Sequence, residues 1–441
     1  MNGESGERPV MLSLISEQAI PNVMAALLVE PRPQVVVCLL PEDKKRLGKV
    51  DREFVRVFNG IRDALTRIAP DIQVLNWASA EGAGRAIPPY DGQEVMRTCR
   101  AVREDPQFAG AIWMYNFTGG TKVMAQAAVD DARAGGCQAV YVDTEWRRLI
   151  WGQGDPVDFE EDRLRRIGVA EYLAAYGVGV RRYEDSLGKD LREAARLLGE
   201  NAAGPSLVRK IRGAEVPCKD IEVVRCFGPS DLTVLEREVL LKVVDALHRR
   251  DIRVQEVDED IEMVLWTTDE ELRSFFWGGR WLESYTFEVV RGLSQKTQPL
   301  RYGKPWRNVL LEWAGIEYSG LQEQSTDDMV RPANELDVAA TRGARLLVCG
   351  CKTGLRALEA DHLYKLQVIG HKLGTFADKV LITDQHGLLG CQNRSVRSQV
   401  VRALTLNIAV VQASQLPVLD EILDDPDMEL RRQKRCFELA A

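Results

Sequence analysis

Hydrophobic and polar positions along the first 150 residues alternate between two periods. Short apolar runs stand at MLSLIS (11–16), QVVVCLL (34–40), IQVLNW (72–77), AGAIWMYNFT (109–118) and QAVYVD (138–143). They are apolar on both faces and rich in β-branched residues, the pattern of parallel strands covered on two sides. Residues 45–67, 92–104 and 121–134 between them carry helical spacing. Strand and helix alternating in this way predict a doubly wound α/β sheet.

From about residue 155 to 275 the pattern changes. Residues 159–175 and 188–201 predict helices, the second ending near Gly204-Pro205, and 232–250 predicts a strongly amphipathic helix. The stretch 254–264 then holds five carboxylates between 256 and 262. This region reads as a connector or a small winged-helix-like unit. A third unit begins near residue 275, where a Gly-Gly turn precedes a helix with Trp281, Tyr285 and Val289 on one stripe. Strands are predicted at 307–313, 334–341, 345–352 and 377–384, with a helix at about 360–374. That order describes an α/β nuclease-like core, with a hairpin turning about Arg342-Gly343-Ala344.

Composition narrows the classes. A chain of 441 residues predicts two or three domains at roughly 100–200 residues each. With 45% hydrophobic and 28% charged residues it is neither disordered nor collagenous. No apolar run is long enough to span a bilayer, and MNGESGERPV has no apolar h-region, so a cytoplasmic location is expected. The net charge of −8 argues against whole-surface nucleic-acid binding and leaves room for a local basic groove. Nine cysteines without a CxxC pair exclude a zinc ribbon and point to a reducing compartment. Four histidines, at 248, 362, 371 and 386, leave little for a multi-histidine metal centre.

Three segments carry chemistry. NFTGGTKVMAQAA (116–128) follows an apolar strand and opens a helix, so it exposes backbone amides where the helix dipole favours an anion. Thr118 and Thr121 add hydroxyls there, Gly119 and Gly120 admit a ligand to the backbone, and Lys122 adds charge. The Walker A spacing is absent. LISEQAIPNVMAAL (14–27) is a second such turn, with Ser16, Gln18 and Asn22 at the ligand-binding edge of a parallel sheet. In NELDVAATRGARLLVCGCKTG (334–354), Glu335 and Asp337 share one strand face, as Gly350 and Lys352 do on the partner strand. Carboxylates on adjacent strands beside a lysine can hold a hard divalent cation and orient a water.

On these residues the N-terminal part resembles the CARF domains of type III CRISPR systems, Rossmann-like receptors for cyclic oligoadenylates. SEQAIPN at 16–22 and FTGGTK at 117–122 look like that family's ligand-facing turns. The C-terminal part resembles the PD-(D/E)xK nucleases through GGRWLE, NELDV and CKTG, and the whole order is similar to CARF-fused CRISPR ancillary nucleases. The resemblance implies a CARF-like domain at 1–155, a helical connecting region at 156–270 and a restriction-endonuclease-like domain at 271–441. It implies ligand contacts from Ser16, Glu17, Gln18, Asn22, Thr118, Gly119, Gly120, Thr121 and Lys122. It also implies Mg2+ or Mn2+, cyclic tetra-adenylate as activator, a homodimer, and RNA or DNA as substrate.

In that family a helix glutamate, a strand aspartate and a carboxylate-x-lysine pair build the metal site. Glu283, Asp337 and Lys352 match three of these positions, but Gly350 stands where the pattern has Asp or Glu. Three explanations compete. The carboxylate has moved, to Glu335 (the most economical substitute) or to Glu359 or Asp361; or the nuclease is impaired; or residue 350 is a substitution peculiar to this sequence. The expectation is therefore a ligand-gated nuclease with catalytic Asp337, Lys352, Glu283 and Glu335, and the alternative a ligand-binding receptor with an impaired nuclease domain. A nucleotide-binding transcription factor using 205–265 ranks third, because the acidic run 256–262 opposes DNA contact. Arg280, Lys304 and Arg307 are candidates for a local basic groove.

Overall fold

The five apolar runs of the N-terminal part pair side by side in the computed structural model. It describes residues 8–43, 46–77, 86–152, 154–213, 223–228, 230–257, 261–296, 302–313, 334–343, 345–354, 356–374 and 377–438. The sheet order is Gln73–Asn76, Val35–Leu39, Pro9–Leu14, Ile112–Asn116, Gln138–Asp143, all parallel. Two antiparallel strands, Arg148–Trp151 and Val157–Asp158, extend the far edge. The order reverses at Pro9–Leu14, so the turns leaving Leu14 and Asn116 flank a crevice at the carboxyl ends of neighbouring strands.

Helices Ile20–Leu28, Arg52–Ile68, Gly92–Arg103 and Lys122–Ala134 connect these strands. The helix expected from residue 45 begins only at Arg52, because Asp51 caps it by accepting from the Glu53 amide at 2.9 Å. Before it, Glu42–Asp43 and Arg46–Val50 form a hairpin. A buried polar knot ties the first strand, the first helix and Ile112–Asn116 together. Ser13 Oγ donates to Asn22 Oδ1 at 2.7 Å, and Asn116 Nδ2 donates to the same oxygen at 3.0 Å.

A second, six-stranded sheet has the order Val178–Glu184, Trp306–Trp313, Asn334–Arg342, Arg345–Lys352, Ala377–Thr383, Ile408–Val411. The first four strands are antiparallel and the last three parallel. Its first strand comes from the segment expected to be a connector. VGVRRYE buries only Val178, a pattern too exposed to read as a strand from sequence. The Tyr183 ring stacks on Trp306 of the neighbouring strand, with centroids 3.7 Å apart.

The expected helix over 159–175 is two short helices, Glu161–Leu164 and Val169–Ala175, interrupted before Gly168. Lys189–Glu200 is followed at once by Gly204–Arg212, since Pro205 is tolerated in a first turn and starts a helix where a break was expected. Val234–Ala246 begins at a Thr233–Glu236 capping box. A three-stranded antiparallel sheet, with Ile261–Thr267 between Val223–Phe227 and Ile252–Val257, completes this region; residues 258–260 of the acidic run lie outside the described residues. Lys189–Glu200, Gly204–Arg212 and Val234–Ala246 pack with the helix Arg280–Gln295 on one face of the six-stranded sheet, where Leu198, Phe276, Trp281 and Cys349 share a core. The other face carries Val348 and Leu366, in a core continuous with Ile61 and Tyr172 on the N-terminal side. No described helix is long and apolar enough to cross a membrane.

One buried ion pair makes the middle region pH-sensitive. Glu236 accepts from Lys210 Nζ at 2.6 Å and from the Thr233 amide at 2.8 Å. Burial acts to raise its pKa, but these donors outweigh burial and hold it down at about 2, against an ordinary 4.5. Its contribution is complete above about 4.5 and is lost as pH falls toward 2. Glu236→Gln therefore lowers the unfolding free energy by about 1–3 kcal/mol at neutral pH. In urea titrations the gap between the two proteins narrows as the pH drops below about 4.5; a gap that stays constant refutes the pairing.

Candidate functional site

The crevice at the carboxyl edge of the parallel sheet is a pocket of about 650 Å³. Ser16, Glu17, Gln18, Gly120 and Thr121 line it, along with Glu42, Asp43, Asp51, Glu53 and Tyr90. The hairpin that bears Glu42 and Asp43 was not read from the sequence, because its strands are too short to show alternation. Asn22, Thr118, Gly119 and Lys122 do not line the pocket. Asn22 is spent in the buried knot with Ser13 and Asn116. Thr118 donates to Asn116 Oδ1 at 2.7 Å and accepts from the Val142 amide at 2.8 Å. Gly119 lets two backbones meet, since a Cβ there would stand 2.1 Å from the Leu14 carbonyl oxygen. Lys122 is the first residue of its helix and is exposed.

The second site grows from the hairpin Asn334–Arg342/Arg345–Lys352. Its register pairs Val338 with Cys349. Asp337 and Gly350 lie just beyond that last pair on the two strands. Asp337 is buried, and its Oδ2 accepts from both Lys352 Nζ and the Cys351 amide, each at 2.7 Å. Glu283 sits in the first turn of Arg280–Gln295. That helix starts at Gly279 with φ +82°, and a Cβ on Gly279 would stand 2.4 Å from Thr353 Oγ1, so the Gly-Gly turn seats the helix against the end of the lysine strand.

Burial pushes the Glu283 carboxyl up, and the Asp337 charge pushes it further, to about 8. Lys352 and Arg280 act against that rise, and Glu335 adds to it. Carboxyls crowded in this way repel one another until a proton or a cation joins them. The set Glu283, Asp337 and Glu335 thus suits a hard divalent cation in chemistry. It is not a closed cage, for among the described residues no three His, Cys, Asp or Glu side chains stand together at metal-holding spacing. In the present arrangement Lys352 occupies the Asp337 oxygen that a cation would share.

Beside this pair lies a small cavity of about 30 Å³ bordered by Glu335, Asp337, Gly350, Lys352, His362 and Lys365. A Cβ on Gly350 would meet only Leu381 at 3.6 Å and Leu366 at 3.7 Å, ordinary contacts. Glu335 reaches the cavity, whereas Glu359 faces Arg356 at 3.5 Å and neither it nor Asp361 lines the space. Sequence reading missed His362 and Lys365, whose spacing of three on a helix after the lysine strand sets them on one face. The expected basic groove is not assembled. Arg307 is buried against Ser284 Oγ at 3.4 Å and paired with Glu184, and Lys304 is paired with Asp185. Arg280 remains beside Glu283.

The chain thus combines a crevice at the carboxyl edge of a parallel sheet with a carboxylate–lysine hairpin under a glutamate-bearing helix. Comparison with known proteins agrees: residues 269–429 match the model of the Card1-like, endonuclease domain family. The fold is shared along nearly the whole chain with the crystal structure of protein VC1899 from Vibrio cholerae, at TM-score 0.69 and 19% identity, over 96% of this chain and 98% of that one. It is likewise shared with Can2 from Sulfobacillus thermosulfidooxidans, solved in complex with cyclic tetra-adenylate. There the TM-score is 0.61 and the identity 20%, over 93% of this chain and 97% of that one. No curated protein sequence matches the chain.

Two glycines in the predicted sites carry opposite constraints. Gly350→Ala keeps the melting temperature within about 3 °C of the parent, because the added methyl meets ordinary contacts. Gly119→Ala drives Cβ into the Leu14 carbonyl and costs about 2 kcal/mol or more. Thermal melts of the two variants check this, and equal losses would contradict it.

Proposed function

We propose that the chain is a cyclic-oligoadenylate-gated, divalent-cation-dependent endonuclease of type III CRISPR antiviral defence, acting on RNA or DNA as a homodimer. The observation that carries the reading is the Asp337–Lys352–Glu283 group lying inside the segment that matches the endonuclease family, in a chain whose other end bears an open pocket on a parallel-sheet edge. A pocket of about 650 Å³ takes part of a cyclic tetranucleotide, and a second copy about a two-fold axis would complete a two-fold ligand's site. That Can2 was solved with cyclic tetra-adenylate supports this choice of ligand.

The chemistry of the pocket fits a nucleotide more than a bare phosphate. Tyr90 is 65% exposed at its rim and offers a ring on which adenine stacks. Glu17, Glu42, Asp43, Asp51 and Glu53 are acceptors for ribose hydroxyls and adenine amino groups. Backbone amides of the two turns are left to meet the phosphates.

In the nuclease half, Mg2+ or Mn2+ held by Asp337, Glu283 and Glu335 would supply a Lewis acid and an activated water. Lys352 offsets charge developing on the phosphate or orients the water. His362 and Lys365 face the same space and can meet the phosphate from the helix side. Glu335 stands in for the carboxylate that Gly350 lacks, since it borders the cavity beside the glycine. The second reading, a receptor whose nuclease half no longer cuts, is favoured by Gly350 alone.

The deciding assay supplies manganese, cyclic tetra-adenylate and labelled RNA, labelled DNA and supercoiled plasmid. Cutting that depends on ligand and falls at least about 100-fold in Asp337→Ala is expected; intact substrates, with tight ligand binding by calorimetry, would leave the receptor reading standing. Tyr90→Ala should weaken ligand binding by about 1–3 kcal/mol, roughly 5- to 150-fold, by loss of one stacking platform. Unchanged affinity in calorimetry would remove Tyr90 from the ligand site.

A further inference from the structure

The nuclease cavity and the N-terminal pocket are joined by a short line of buried contacts. Gln18 borders the pocket, and its Oε1 accepts from the Tyr176 hydroxyl at 3.3 Å. Tyr176 caps the helix Val169–Ala175 and is buried. Its hydroxyl abuts Gly374, where a Cβ would stand 2.2 Å from that oxygen and 3.2 Å from Gln18 Oε1. One turn earlier Tyr172, also buried, donates to the Leu373 carbonyl at 3.0 Å, and the two tyrosine rings lie 5.4 Å apart. Leu373 and Gly374 end the helix Ala360–Lys372, whose inner face supplies His362, Lys365 and Leu366 to the nuclease cavity.

We infer that the Gln18–Tyr176–Gly374 contact couples occupancy of the N-terminal pocket to the nuclease cavity, with Tyr176 as the positioning residue. The inference rests on the ligand-gated reading above and adds the regulatory route to it. Gln18 borders the pocket and also meets the Tyr176 hydroxyl. A ligand that engages the Gln18 amide redirects it and alters the contact with Tyr176. Gly374 is held at φ +104°, with Tyr176 packed against the place a side chain would take. The nearby Leu373 carbonyl is tied to Tyr172. A helix of 13 residues held rigidly at its end transmits a small shift there to the cavity wall. A pair of tyrosines that merely glued two parts of the chain together would change stability but not the response to ligand.

Hydrogen exchange on the full chain, with and without cyclic tetra-adenylate, separates these roles. In the parent protein, ligand changes the exchange of amides 363–373 by at least about fivefold, the lower end of usual allosteric couplings. In Tyr176→Phe, which removes one oxygen and keeps the ring, ligand still binds but this change disappears; Gln18→Ala, acting from the pocket side, abolishes it too. A full ligand-induced change in Tyr176→Phe overturns the inference. Should the parent protein fail to bind the ligand, the receptor reading falls, and the ligand-free samples decide the coupling. Tyr176→Phe must then speed exchange both near residues 18–23 and at 369–373, and loosening on one side alone overturns it.

Discussion

The nuclease half is organised around one buried carboxylate. Asp337 lies inside the hairpin and receives a lysine and a backbone amide on the same oxygen. A buried charge is retained only when donors surround it. Those donors come from the next strand, so the register of the hairpin and the position of Lys352 are fixed together. Glu283 arrives from a different element, and burial together with the Asp337 charge raises its pKa. Gly350 adds no further carboxylate to the cavity that Asp337 and Glu335 border.

The six-stranded sheet that carries Asp337 is covered on both faces by separate cores. One is shared with the helices of the middle region and the other with helices of the N-terminal part. The middle region is thus part of the nuclease scaffold, contributing the edge strand Val178–Glu184 as well as helices. The same arrangement brings Tyr172 and Tyr176, which precede that strand, against the helix that walls the cavity. The parts of the chain that carry the two sheets meet through buried side chains, and the connection is short.

The parallel sheet was legible in the sequence because strands buried on two faces write themselves as unbroken apolar runs. The hairpin around Gly343 was legible too, since its strands are apolar and its turn glycine adopts φ +58°. Val178–Glu184 and the hairpin at 42–50 were not, being exposed or short, with only partner strands to define them. In the sites, residue types were easier to read than their orientation. Asn22, Thr118 and Gly119 hold the ligand turns in shape through contacts with residues far along the chain, and no local pattern separates that role from ligand contact. His362 and Lys365 were missed for the converse reason: an exposed helix face carries charges everywhere, and only the fold shows which of them turn toward the carboxylates.

In the proposed reading, Glu283, Asp337 and Glu335 still form a cation site although residue 350 is glycine. Calorimetric titration of the ligand-free protein with Mn2+ tests it without depending on substrate or activator. A saturable site on each chain is expected, with an affinity that falls at least about tenfold in Asp337→Ala, equivalent to about 1.4 kcal/mol. An Mn2+ isotherm that is flat in the parent protein, or identical in the variant, would contradict it.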